Sequence, residues 1–244
     1  MATIEDAPLG SLRSQMRLTL HTLHAIRLWN GRLPSADAPR IRGLNDFVTL
    51  VNRVYRDAAR DDPYADTLLL RFEAKLDSTR TALLNLHAQL NAAMAQAPAA
   101  FSLGDNLNVE PVQLPVTFNA PLGFLALYLL ADYDELARRA LLAQHTALID
   151  PPTLEYWLDE GAHCLRSLFS LIQTYRTSGA CRDDFAANNA KAQRAREQFG
   201  ELPQNILDGR LRARHAPAIR QSEPTTLNSA GPTSNNTHGL PEDS

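Results

Sequence analysis

One segment constrains this chain more than any other. Val112-Gln-Leu-Pro-Val-Thr-Phe118 alternates with period two inside a sequence otherwise built for helices. Val112, Leu114, Val116 and Phe118 fall on one side and Gln113, Pro115 and Thr117 on the other, the pattern of a half-buried strand. Pro115 has no N–H to give a ladder, so the strand must keep one side free there. A lone strand is not stable in water and needs a partner. Two are available. One is its own copy across a homodimer axis. The other is Met16-Arg-Leu-Thr-Leu-His-Thr22, with Met16, Leu18 and Leu20 on one side and Arg17, Thr19 and His21 on the other. That second stretch also fits a helix running to Trp29, because Leu12, Met16, Leu20, Leu23 and Ile26 keep helical spacing. The residues leave both readings open.

The rest reads as helix. Ala, Leu and Arg dominate, and there are only 11 glycines. Leu44, Phe47, Val48, Val51, Val54, Tyr55 and Ala58 form an i, i+3, i+4 stripe that predicts a helix over 43–60. Asp62-Pro63 reads as an N-cap followed by proline in the first turn, opening a long helix over 64–96. Along it Leu69, Phe72, Leu76, Thr79, Leu83, Leu86 and Leu90 hold heptad a/d positions, so it packs on another helix of this chain or of a partner. Asn119 reads as an N-cap ahead of Pro121, with a buried helix over 122–131 and a second restarted by Asp132 or Asp134. Asp150-Pro-Pro-Thr153 starts a helix to about Thr177, closed by Gly179, with Cys164 in its core. Residues 183–199 read as one amphipathic helix. The expected organisation is a flexible arm over 1–12, a single mainly helical domain over 13–215, and a disordered tail over 216–244 poor in large apolar residues.

Chemistry is sparse. The chain carries no phosphate-binding glycine loop, nucleophile elbow or zinc-helix motif. His21 and His24 lack companions for a metal set, and Asp132, Asp134 and Glu135 sit where capping carboxylates belong. Cys164 and Cys181 read as reduced thiols. No enzymatic activity, cofactor, metal or small-molecule ligand is expected. No signal peptide or membrane span is evident, which predicts a cytoplasmic protein.

Charge is uneven despite a net −3. Residues 1–60 hold 9 Arg against 5 acids, residues 61–178 hold 7 basic against 14 acidic residues, and residues 179–220 hold 8 basic against 5 acidic. A basic surface at either end is compatible with that balance, as are ordinary solvated helix faces. Strand, helix, second helix is the order of a ribbon-helix-helix unit. In that class a two-stranded ribbon enters the DNA major groove and its outward side chains read base edges. Gln113 and Thr117 would face out, joined by Arg17, Thr19 and His21 if the ribbon forms within one chain. Asn119 and the basic run Arg210, Arg212 and Arg214 would meet the backbone.

Several pieces in combination also resemble a known group: Leu12-Arg-Ser14, Leu18-Thr-Leu-His-Thr22, Asp61-Asp-Pro-Tyr-Ala-Asp66, Tyr128-Leu-Leu-Ala-Asp-Tyr-Asp134, Arg194-Ala-Arg196 and Glu201-Leu-Pro203. They are similar to proteins of integrating conjugative elements and to AcaB-like regulators of conjugative plasmids, over about residues 10–219. The resemblance implies a DNA-binding transcriptional activator of transfer genes with a ribbon-helix-helix element. The expected fold is thus mainly α: a helical bundle with a short antiparallel β-ribbon, a long central helix and a disordered C-terminal tail. The expected partner is double-stranded DNA at the major groove, with a second copy in a homodimer as the open alternative for completing the ribbon, and no membrane partner. The other reading is a non-enzymatic helical scaffold or accessory protein of the element, which would bind proteins through the heptad helix.

Overall fold

The architecture comes from a computed structural model, which describes residues 15–35, 38–171 and 175–219. The arm expected over 1–12, and all but the first four residues of the tail expected over 216–244, lie outside the described residues.

The two alternating segments find each other. β1 (Met16–Leu20) and β4 (Val112–Val116) form an antiparallel two-stranded sheet within one chain. The ambiguous first segment is therefore strand and then helix: Thr22 caps α1 (Leu23–Asn30) by accepting from Ala25 N. A small hairpin of β2 (Gly31–Arg32) and β3 (Ile41–Arg42) leads into α2 (Leu44–Ala59). The apolar stripe of α2 is buried except for Tyr55, which is partly exposed.

Asp62 caps α3 (Pro63–Met94), and all seven heptad positions from Leu69 to Leu90 are buried. They face helices of the same chain. α3 packs on α2, on α4 (Pro121–His145) and on α5 (Pro151–Ser170), and α4 and α5 pack on each other. Phe47 sits at the centre, with its ring centroid 5.6 Å from both Phe72 and Phe169.

Five local expectations are corrected. α4 is one continuous helix, because nothing between Leu122 and His145 breaks its ladder and the Asp134 carboxylate is used elsewhere. Its N-cap is Ala120, whose N–H donates to Asn52 Oδ1, so Asn119 stands one residue outside the helix and is exposed. α5 ends at Ser170, and residues 175–178 run as irregular chain because Tyr175, Thr177 and Ser178 bond to carboxylates at the α2–α3 corner. The helix expected over 183–199 divides into α6 (Arg182–Ala186) and α7 (Ala190–Phe199). Asn188 adopts a left-handed φ of 47°, which asparagine tolerates better than most residues, and Asn189 caps the second piece. α8 (Gln204–Leu207) follows. α6 and α7 build a satellite core of Ala180, Phe185, Ala192 and Ala195 around Tyr64. Cys164 is half-buried on α5 rather than in the core, and Cys181 precedes α6; both are free thiols.

Candidate nucleic-acid interface

Register decides which side chains the ribbon offers. Arg17 stands opposite Pro115 and Thr19 opposite Gln113. Directly paired residues share a face, so these four project together, and all four are exposed. Thr117 and Asn119, just beyond β4, are exposed as well. Arg17 Nη1 donates to Gln113 Oε1 across the diagonal at 3.4 Å. On the other face Leu18 opposes Leu114, while Leu20 and Val116 are 1% and 5% exposed and anchor the ribbon to the core. Pro115 is accommodated because β4 has a partner on one edge only. Beneath the strand end, Phe118 stacks on Trp29 at 6.2 Å and meets the Phe124 ring at a tilt with centroids 5.6 Å apart.

The junction after β1 is held by a residue far away in sequence. Asp134 on α4 is 3% exposed. Its carboxylate accepts from His21 N at 2.9 Å, Thr22 N at 2.9 Å and Thr22 Oγ1 at 2.7 Å. The Thr22 hydroxyl in turn accepts from Ala25 N, so one carboxylate organises both the strand exit and the start of α1. His21 faces the loop before β4: its Nδ1 accepts from Asn108 N at 3.1 Å, and its carbonyl accepts from Asn108 Nδ2 at 3.2 Å. With Nδ1 accepting, Nε2 is the ring nitrogen able to donate. His21 is therefore half-buried at the ribbon's end, while Arg17 and Thr19 lie on its open face.

The basic run lies along α3 rather than on the ribbon. Arg212 forks onto Asp66, with Nε at 2.8 Å and Nη2 at 3.0 Å, and the Asp66 carboxylate is fully buried. Arg182 joins the same carboxylate at 2.7 Å and also pairs with Asp61. Burial opposes the Arg182 charge, but hydrogen bonds and charge from Asp66 and Asp61 outweigh it and raise its pKa. Glu73 accepts from the backbone N–H groups of Arg214 and His215. Arg210 pairs with Asp208 and Arg214 with Asp77; their side chains stay 75% and 70% exposed and can still reach an anion. Burial pushes Asp62 above the usual carboxylate range, against hydrogen bonds from Ser178, Ala65 and Tyr64.

The sequence motif Asp61–Asp66 is thus a clamp that holds the C-terminal segment to the start of α3. Arg196 and Glu201, from two further motifs, form an ion pair at 3.4 Å, and the Arg196 guanidinium lies 5.3 Å from the Phe185 ring centroid. Periodicity could not reveal Asp134, Asn108 or Asp66 as site-builders. Asp66 and Asp134 carry a signal only as the last residues of two of the motifs quoted above, and Asn108 carries none. Among the described residues no three His, Cys, Asp or Glu side chains gather as a metal site, and no helix is long and apolar enough to cross a membrane.

Comparison with known proteins gives two findings. A family model described as "Transcriptional regulator AcaB" matches residues 8–220. The fold is also similar to the crystal structure of selenomethionine-containing AcaB from uropathogenic E. coli, with a TM-score of 0.53 and 14% identity over 80% of this chain and 95% of that one. No curated protein matches the chain.

Proposed function

We propose, from the premise that this chain belongs to the AcaB family of transcriptional regulators, that it binds double-stranded DNA by laying the β1–β4 ribbon in the major groove. The observation that carries this reading is the open face of the ribbon, where Arg17, Thr19, Gln113 and Thr117 stand exposed over an apolar underside. Gln suits an adenine edge, Arg a guanine edge, and Thr a base or a thymine methyl. β1 leads into α1 and, after the β2–β3 hairpin, into α2, and β4 leads into α4 and α5; this order supports a ribbon-helix-helix reading of both halves. No second copy is needed to complete the ribbon. Its two strands carry different outward residues, so the bases read by one ribbon need not form a palindrome. Asn119, Arg210 and Arg214 serve as backbone contacts at the periphery, and Arg212 acts through the clamp. The regulated genes are transfer genes of a conjugative element, with this protein as their activator.

The geometry does not favour a scaffold that binds proteins through the heptad helix, because that face is buried within the chain. The test is binding to DNA upstream of the element's transfer genes across a salt series. Affinity should fall steeply with salt, and Gln113→Ala should relax sequence preference by roughly 1–3 kcal/mol. No binding to any such DNA at low salt refutes the proposal.

A further inference from the structure

A second basic feature lies away from the ribbon's open face. Between α1, the β2–β3 hairpin, α4 and α5 is a cleft of about 660 Å³, within the size range of small-molecule sites. Arg27 of α1, Arg32 and Arg42 of the hairpin and Arg166 of α5 line it; Asp159 is the one acid in the lining. Some arginines elsewhere are matched to acids, such as Arg40 to Asp46, Arg139 to Glu135 and Arg182 to Asp61 and Asp66, while others stand singly; the cleft differs in bringing four together around one cavity. Among the described residues, none of the four cleft arginines takes part in an ion pair. The floor, by contrast, is apolar, with Leu28, Leu158, Ala162 and the Tyr133 ring. Tyr133 is 1% exposed and donates its hydroxyl to Leu158 O at 3.0 Å.

The hairpin is built to put arginines at this rim. A Cβ on Gly31 would lie 2.3 Å from Ile41 O and 2.5 Å from Gly43 N, and one on Gly43 would lie 2.3 Å from Trp29 O. Only two facing glycines permit that approach, and it carries Arg32 and Arg42 to the cleft. His24, also in the lining, is held below its ordinary range first by burial and then by Arg27, against the opposing pull of Asp159.

We propose that this cleft binds a phosphorylated small molecule of nucleotide size, its phosphates forked by Arg27, Arg42 and Arg166 and its flat body resting on Leu158, Ala162 and Tyr133. Guanidinium forks match phosphate oxygens bidentately, and several around one cavity suit more than one phosphate. The ligand would tie α1 to α5. Tyr133 in the floor is followed by Asp134, which holds the exit of β1, so occupancy would stiffen the ribbon's junction. That consequence for DNA rests on the proposed function; ligand binding does not.

The experiment is calorimetric titration of the full chain with ATP and, separately, inorganic pyrophosphate, without DNA. ATP should bind, and the double variant Arg27→Gln/Arg166→Gln should weaken it at least tenfold while keeping the native circular-dichroism spectrum. Gln113→Ala, on the ribbon, should leave ATP binding unchanged. Pyrophosphate binding with the same arginine dependence supports the site and assigns its affinity to the phosphates. Absence of binding by both probes overturns the proposal. So does ATP binding that the double variant leaves intact, or a double variant that loses only DNA affinity, with a shallower salt slope, which would make the cleft a contact for the DNA backbone.

Discussion

Removing the Asp134 carboxylate should unfasten the ribbon from the bundle. The group is buried and accepts three short hydrogen bonds, two of them from backbone N–H groups with no other partner in reach. Hydrogen bonds to a charged acceptor contribute about 1.5–3 kcal/mol each, and a buried donor left alone costs about 1–3 kcal/mol. Part of that loss returns as water enters or the strand exit relaxes, so Asp134→Ala should cost about 3–5 kcal/mol. Asp134→Asn keeps the shape but turns an amide N–H₂ toward a donor, and should lose about half as much. In urea, with a slope near 3 kcal/mol per molar for a chain of this size, the alanine variant's midpoint should fall by roughly 1–2 M. A double-mutant cycle with Thr22→Val should show coupling of about 1–2 kcal/mol, since Thr22 supplies one of the three donors directly. If the midpoint of Asp134→Ala stays within about 0.2 M of the parent and the coupling vanishes, the carboxylate is not what holds β1 to α1.

Other perturbations test other joints. Gly43→Ala forces a Cβ into the backbone of Trp29 and Gly31; it should cost about 3 kcal/mol, read as a melting temperature lower by roughly 6–12 °C. Asp66→Ala strands two half-buried guanidiniums and should cost about 3–5 kcal/mol, with limited proteolysis cutting ahead of α6 before the helical core is attacked. His24 has a folded pKa below its unfolded 6.5, so the unfolded chain takes up its proton first as pH falls. Stability should therefore decline below about pH 6.5 and level off once the folded imidazole is protonated too; denaturation at pH 7.5 and 5.5 should show a smaller difference in His24→Gln than in the parent.

What the residues revealed unaided was local period. The α2 stripe and the α3 heptad repeat at helical spacing, and β1 and β4 alternate, because each buries one face and solvates the other. Even the choice of partner strand could be narrowed to two, since few segments alternate at all. Contacts between distant segments leave no such trace. Asp134 looks like the start of a new helix because carboxylates often cap helices nearby; instead it holds Thr22, the capping residue of a helix more than a hundred residues earlier. Asp61 and Asp66 look like ordinary acids around a helix start until Arg182 and Arg212 arrive from the far end of the chain. The arginine cleft draws on four separate elements, with no spacing rule to connect them.

A ribbon made from one chain carries a thermodynamic consequence. Arg17 and Gln113 lie 96 positions apart, and closing so large a loop for two five-residue strands costs more entropy than their ladder returns. The closure must therefore be prepared by the bundle: α3 packs on α4, which fixes the chain just after β4, while α1 packs on α4 and fixes the chain just after β1. Ribbon and core should then unfold together. A fragment beginning at residue 32 tests this directly. It lacks β1 and α1, leaves the inner faces of Leu114 and Val116 uncovered, and removes the two donors of Thr22 from Asp134. It should lose protection of the β4 amides of Val112, Gln113, Leu114 and Val116 in hydrogen exchange, together with sequence-specific DNA binding. A fragment that keeps that protection and still discriminates operator from random DNA would mean that β4 finds another partner, and that pairing within the chain is dispensable.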